Sequence, residues 1–228
     1  DGPESCTKMS MKVKINWDGS DERFYALRKL QLHSQNRDES QMHERLGYWL
    51  FAEMGVPTAR SVHARLVING EFVGLFALTE QIDGRFAREH FDDGTGNVFK
   101  ERWPTDTDGL AVDEAVLASG LKTNEEEASA PLLTAFGEAL AEAATDEELR
   151  TVIETYLDVD ETMSLLAVDR AIRNDDGPLH FYCFDACANH NLYWYANPAT
   201  QKLHLIPWDL DNAFENIVND INPVSPIA

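Results

Sequence analysis

The chain has 228 residues, 43% of them hydrophobic, enough to bury a substantial core in one domain or two small lobes. Forty acidic against nineteen basic residues leave a net charge of −21. That excess aids solubility, repels a nucleic-acid backbone and an anionic membrane, and argues against DNA or RNA as a partner. No apolar run is long enough to span a bilayer, and the opening DGPESCTKMS lacks the apolar core of a signal peptide. Cys6, Cys183 and Cys187 are odd in number and lack zinc-ribbon spacing, which leaves a local disulfide and free thiols both open.

In chain order, Lys12–Ile15 and Leu27–Leu32 alternate and are read as strands, with Leu30 and Leu32 on one face and Lys29 and Gln31 on the other. Met42, Leu46, Trp49, Leu50 and Met54 repeat at helical spacing, which predicts a helix from about Ser40 to Met54, stopped by Gly55 and Pro57. Val62–Ile68, Asn69-Gly70 and Phe72–Leu78 read as a hairpin, because that dipeptide suits a two-residue turn with both φ positive. Asn97–Glu101 is read as a further short strand of this sheet-rich half.

Beyond Pro104 the pattern turns helical. Helices are expected over Asp113–Leu117, Pro131–Ala144 and Asp146–Tyr156, the last opened by a Thr145/Glu148 capping box. Another, capped by Asp160, carries Met163, Leu166, Ala167 and Ala171 toward Arg173, and Glu125–Glu127 is a solvated loop. Leu192–Tyr195 and Leu203–Ile206 flank a turn containing Asn197 and Pro198 and predict a second hairpin. The predicted architecture is α+β, with a sheet-rich N-terminal lobe (1–103) and a helix-rich C-terminal lobe (104–228).

The second hairpin is the centre of the functional reading. Asn191 stands at its entrance and Asp209 and Asp211 just past its exit, so the closed ladder should bring them together. An amide beside carboxylates is a hard-oxygen site for Mg²⁺ or Mn²⁺, ions that commonly carry phosphates. Asn174-Asp175-Asp176-Gly177 forms a loop after a helix. Helix, loop aspartate, asparagine, hairpin and aspartate is the order of a protein-kinase active site. There the loop Asp176 would take the acceptor hydroxyl proton, and Asn191 and Asp209 would hold metal. Lys29 and Glu44 match the strand-lysine and helix-glutamate pair that orients phosphates, with Lys14 and Lys100 as rival lysines. Glu80 falls where a hinge would meet adenine. G-x-G-x-x-G, G-x-x-x-x-G-K-[ST] and H-E-x-x-H are all absent. A zinc set of His180, His190, His204 and Asp209 remains a weaker alternative.

These residues resemble the CotH kinase family, the spore-coat-protein-H-like atypical kinases. The resemblance runs through Arg28–Leu32, Glu44-Arg45-Leu46-Gly47-Tyr48, Gly55-Val56-Pro57, Asn69–Gly74, Glu80-Gln81, Asn97–Lys100, Asn174–Asp176, His190–Tyr195 and Ile206–Phe214. It implies a two-lobed kinase-like fold that transfers the γ-phosphoryl group of ATP with Mg²⁺ or Mn²⁺ to Ser or Thr of a protein, such as a spore-coat or exported protein. By position it makes Asp176 the loop aspartate, Asn191 and Asp209 metal ligands, and Asp211 their neighbour. The carry-over to Lys29, Glu44 and Glu80 rests on looser matches. Asp175 stands where the family has tryptophan, and His43 where arginine often precedes the helix glutamate. Family members usually continue with further helices beyond Phe214, so a short or truncated chain is expected. AMP transfer on the same fold and a non-catalytic coat or surface protein are the alternatives.

Overall fold

The computed structural model describes residues 8–36, 38–174, 176–179, 182–183, 187–188 and 190–214. The chain opens on an antiparallel sheet of β1 (Met11–Lys14), β2 (Lys29–His33), β3 (Ser61–Ile68) and β4 (Glu71–Thr79), ordered β1-β2-β4-β3. The Asn69-Gly70 turn has φ of 53° and 86°, the doubly positive geometry that this dipeptide tolerates.

Helix α1 (His43–Glu53) lies between β2 and β3 in sequence. It starts three residues later than the periodicity predicts, because a buried carboxylate holds its approach. Asp38 Oδ1 accepts from the Ser40 N–H at 2.8 Å, and Oδ2 accepts from the His43 N–H at 2.7 Å. Burial alone would raise the Asp38 carboxyl, but these bonds keep it below its usual range. Asp38→Ala removes the acceptor of the Ser40 and His43 N–H groups at the head of α1. It is expected to cost about 2 kcal/mol in a denaturant melt.

Helix α2 (Gly84–His90) is absent from the sequence reading. Its seven residues give too short a period to detect. The usable signal was Asp83, whose carboxylate caps the Arg85 N–H at 2.9 Å. Downstream come β5 (Asn97–Lys100), α3 (Glu114–Ala118), α4 (Pro131–Glu142), α5 (Asp146–Tyr156) and α6 (Val159–Ala171). The Thr145/Glu148 capping box is present. Helix α6 is capped by Asp158 rather than Asp160. The Asp158 carboxylate reaches the Glu161 N–H at 3.0 Å, and Asp160 sits inside the first turn. Glu125–Glu127 forms an exposed 3-10 turn.

Two short strands, β6 (Tyr182–Cys183) and β7 (Cys187–Ala188), pair with each other and precede the second hairpin, β8 (Leu192–Asn197) and β9 (Lys202–Pro207). Cys6 and Asp175 lie outside the described residues. Strand β5, grouped by sequence with the first sheet, pairs instead with β8, giving a second sheet ordered β5-β8-β9. Four residues carry no local sign of which distant strand they join.

The architecture is therefore α+β. Its main core centres on the second sheet, where Phe99, Leu192, Trp194, Tyr195 and Leu203 meet Leu117, Leu133 and Leu165 of the helices. The same cluster continues into Tyr48 and Phe51 of α1 and Phe86 of α2. The buried Trp194 indole donates to the Arg102 carbonyl at 2.8 Å, so its polar atom is satisfied. Among the described residues, no helix is long and apolar enough to cross a membrane.

Candidate functional site

The ladder of β8 and β9 closes with Leu192 opposite Pro207, and the Trp208 N–H donates to the Asn191 carbonyl at 3.0 Å. Asn191 and Asp209 thus leave the sheet side by side. Both adopt the left-handed conformation, at φ of 56°, which asparagine and aspartate accept more readily than most residues. The loop after α6 comes to the same place. Asn191 Nδ2 donates to the Asp176 carbonyl at 2.8 Å, and Asn212 Nδ2 donates to Asp176 Oδ2 at 3.0 Å. Asn212, in the 3-10 turn Leu210–Asn212, was not among the residues singled out from sequence.

Helix α1 supplies the opposite wall. Gly47 lets it approach the 3-10 turn, since a Cβ there would lie 2.8 Å from Leu210 Cδ1. The Tyr48 hydroxyl accepts from the Asp209 N–H at 3.1 Å, and the His43 ring meets the Asp211 carbonyl at 3.1 Å. Burial pushes the Tyr48 phenol well up, with Glu44 and Asp209 adding to the effect, so it stays neutral.

Glu44 is fully buried one turn before Tyr48. Its Oε1 lies 2.7 Å from His33 Nδ1 and accepts from the Thr79 hydroxyl at 2.8 Å. The partner of Glu44 is therefore His33, not the expected Lys29, and among the described residues Lys29 makes no ion pair with it. Strand geometry explains this. Lys29 and His33 share a face of β2 but stand four residues apart, roughly 13 Å along a strand. Only the far end of β2 reaches α1. The signal for His33 was its place on the Lys29–Gln31 face.

Glu44, Asp176, Asp209 and Asp211 lie near enough for their charges to act on one another. Burial raises the Asp209 carboxyl; His33 opposes the rise, and Glu44 and Asp176 add to it. Asp211 is pushed up to about 7 by burial, then by Asp209, Glu44 and Asp176. Burial would lower the His33 imidazole, but Glu44, Asp209 and Asp211 together hold it above its usual value. Among the described residues, no three His, Cys, Asp or Glu side chains are already drawn together as a metal site. The donors nevertheless suit a hard cation in kind. They are carboxylates with an amide oxygen beside them, and Glu44 Oε2 is buried without a hydrogen-bond partner.

Thr79 leads from this cluster into a cleft of about 750 Å³, lined also by Lys29, Leu30, Glu80 and Gln81. The Glu80 carboxylate is not free. Arg60 grips it through Nη2 at 2.6 Å and Nε at 3.0 Å, and the His90 ring lies 3.3 Å away. Burial alone would raise the Glu80 carboxyl, but His90 and Arg60 bring it down to about 2. Its side chain ties the β4–α2 connection to Arg60 and His90. His204, from the zinc alternative, is buried in β9, 2.9 Å from Glu161. His180 lies outside the described residues.

No curated protein matches the chain. A family model described as CotH kinase protein matches residues 2–225, nearly the whole length. The match includes both walls of the carboxylate cluster and the cleft beside it, and it makes this chain a member of the CotH kinase family.

Proposed function

We propose that the chain is a two-lobed, kinase-like phosphotransferase that uses ATP and Mg²⁺ or Mn²⁺ to phosphorylate Ser or Thr of a protein. The observation that carries this reading is the convergence of Glu44 of α1, Asp176 of the loop after α6, and Asp209 and Asp211 of the turn after β9, beside a cleft of nucleotide size. Buried like charges of this kind are costly without a cation and are ordinary with one.

Asp209, Asn191 and Asp211 would hold the metal, which when bound neutralises phosphate charge and orients the γ-phosphoryl group. Glu44, anchored by Thr79, fixes His33 on the sheet side, where a protonated imidazole would add positive charge toward bound phosphates. Asp176 accepts the proton of the acceptor hydroxyl. The acceptor oxygen forms its bond to the γ-phosphorus as the bridging bond to the β-phosphate breaks, and ADP leaves. The Asn212 amide keeps Asp176 Oδ2 in place for that contact.

The test uses ATP labelled at either the γ- or the α-phosphate, with Mn²⁺ and a mixed Ser/Thr protein acceptor. Label from the γ-position, lost in Asp176→Asn by about 10³-fold, is the expected result. Label arriving only from the α-position would replace phosphoryl transfer by AMP transfer, and no label from either would leave a binding protein.

A further inference from the structure

In a chain with about twice as many acids as bases, seven of the nineteen lysines and arginines line the cleft that Thr79 joins to the carboxylate cluster. Only two carboxylates, Glu80 and Asp83, line it with them. Some of these cations have partners. Arg23 and Arg28 share Asp21, and Arg60 is held by Glu80. Lys29, Arg85, Arg88 and Lys122 make no ion pair among the described residues. Arg85 Nη1 is buried without a hydrogen-bond partner.

The crowding extends beyond the lining. Lys14 stands directly opposite Lys29 in the β1–β2 ladder, a like-charge pair that costs stability. Burial, then Lys29, Lys100 and Lys122, hold the neighbouring Lys12 ammonium below its usual value, with Asp83 opposing. A protein rich in carboxylates has ample means to neutralise such a patch. Its cations are instead kept together and mostly unmatched, which is the signature of a surface that receives an anion.

A nucleotide does not account for the whole set. On the phosphotransfer reading its phosphates would sit at the carboxylate end, where His33 and Lys100 are the cations that act on Asp209. Arg88 and Lys122 are exposed at the rim of the cleft, within reach of an extended polypeptide lying across its mouth.

We infer that the rim formed by Lys29, Arg85, Arg88 and Lys122 docks an acidic stretch of the protein acceptor. The acceptor class is thus Ser or Thr flanked by glutamate and aspartate. This inference rests on the phosphotransfer reading for its catalytic meaning, but the docking is measurable without catalysis.

The probe is a fluorescein-labelled serine peptide flanked by glutamates, compared with the same peptide carrying glutamines. Anisotropy without ATP should show the acidic peptide binding at least about tenfold tighter, with an affinity that falls as salt rises. The double variant Arg88→Glu, Lys122→Glu, both with exposed side chains, should lose that preference. In turnover, its KM for the acidic peptide should rise about tenfold while its KM for ATP stays put. Equal binding of the two peptides, equally tight binding of a single-stranded oligonucleotide, or a variant that shifts the KM for ATP instead would each overturn the inference. Charge-selective binding without any phosphate transfer would keep the docking surface and sink the kinase reading. Transfer without charge preference would do the reverse.

Discussion

Asp209→Asn is expected to lower phosphate transfer by about 10³-fold while leaving the metal-free chain at least as stable as wild type. The two effects share one cause. Burial and the nearby Glu44 and Asp176 raise the Asp209 carboxyl, so at neutral pH its charge works against folding. Asparagine removes that charge, keeps the left-handed backbone at φ of 56° within reach, and preserves the N–H that Tyr48 accepts. An alanine would add backbone strain and blur the result. Asp211→Asn should show the stabilisation more clearly, by about 2 kcal/mol at pH 8 after discounting for partial solvent contact. Thermal melts in EDTA beside rate measurements check both. A variant that loses activity and melts earlier than wild type would make these aspartates structural.

Which parts of this were legible in the sequence follows from how far each signal reaches along the chain. The two hairpins and helices α4 and α5 carry their own periods, turns and caps within a few residues, and those signals agree with one another. The meeting of Asn191 and Asp209 was legible for the same reason, because a closed hairpin fixes the distance between its ends. The partner of Glu44 was not. Lysine is the expected cation, and nothing local says that the strand runs on to His33 before the helix covers it. The pairing of β5 with β8 and the reach of Asn212 to Asp176 are likewise long-range facts that composition and spacing do not encode. Glu80 was located correctly at the end of β4, but its salt bridge to Arg60 depends on a neighbouring strand and came only with the coordinates.

The metal-free protein is expected to be most stable near pH 5 and to weaken toward pH 8, and Mn²⁺ is expected to abolish most of that slope. The signs follow from three groups. Asp211 has its carboxyl raised to about 7 from an ordinary 3.8, so between those values the folded chain holds a proton that the unfolded chain has released. Stability therefore falls as pH climbs through that window. His33 is also raised, so its contribution is fully present below the ordinary 6.5 and is lost as pH rises through its folded value. Glu80 sets the acid limb. Its carboxyl lies at about 2 rather than 4.5, so its contribution is present above 4.5 and is lost as pH falls toward 2. Discounted for solvent, the alkaline loss is about 2–3 kcal/mol, several degrees in melting temperature for a chain of this size. A divalent cation takes the place of the proton among the carboxylates, so its thermal shift should be larger at pH 8 than at pH 5. Asp211→Asn should flatten the alkaline slope in EDTA and reduce the pH dependence of the Mn²⁺ shift. A wild-type slope of the opposite sign, or a metal shift independent of pH, would mean that Asp209 and Asp211 do not hold a cation.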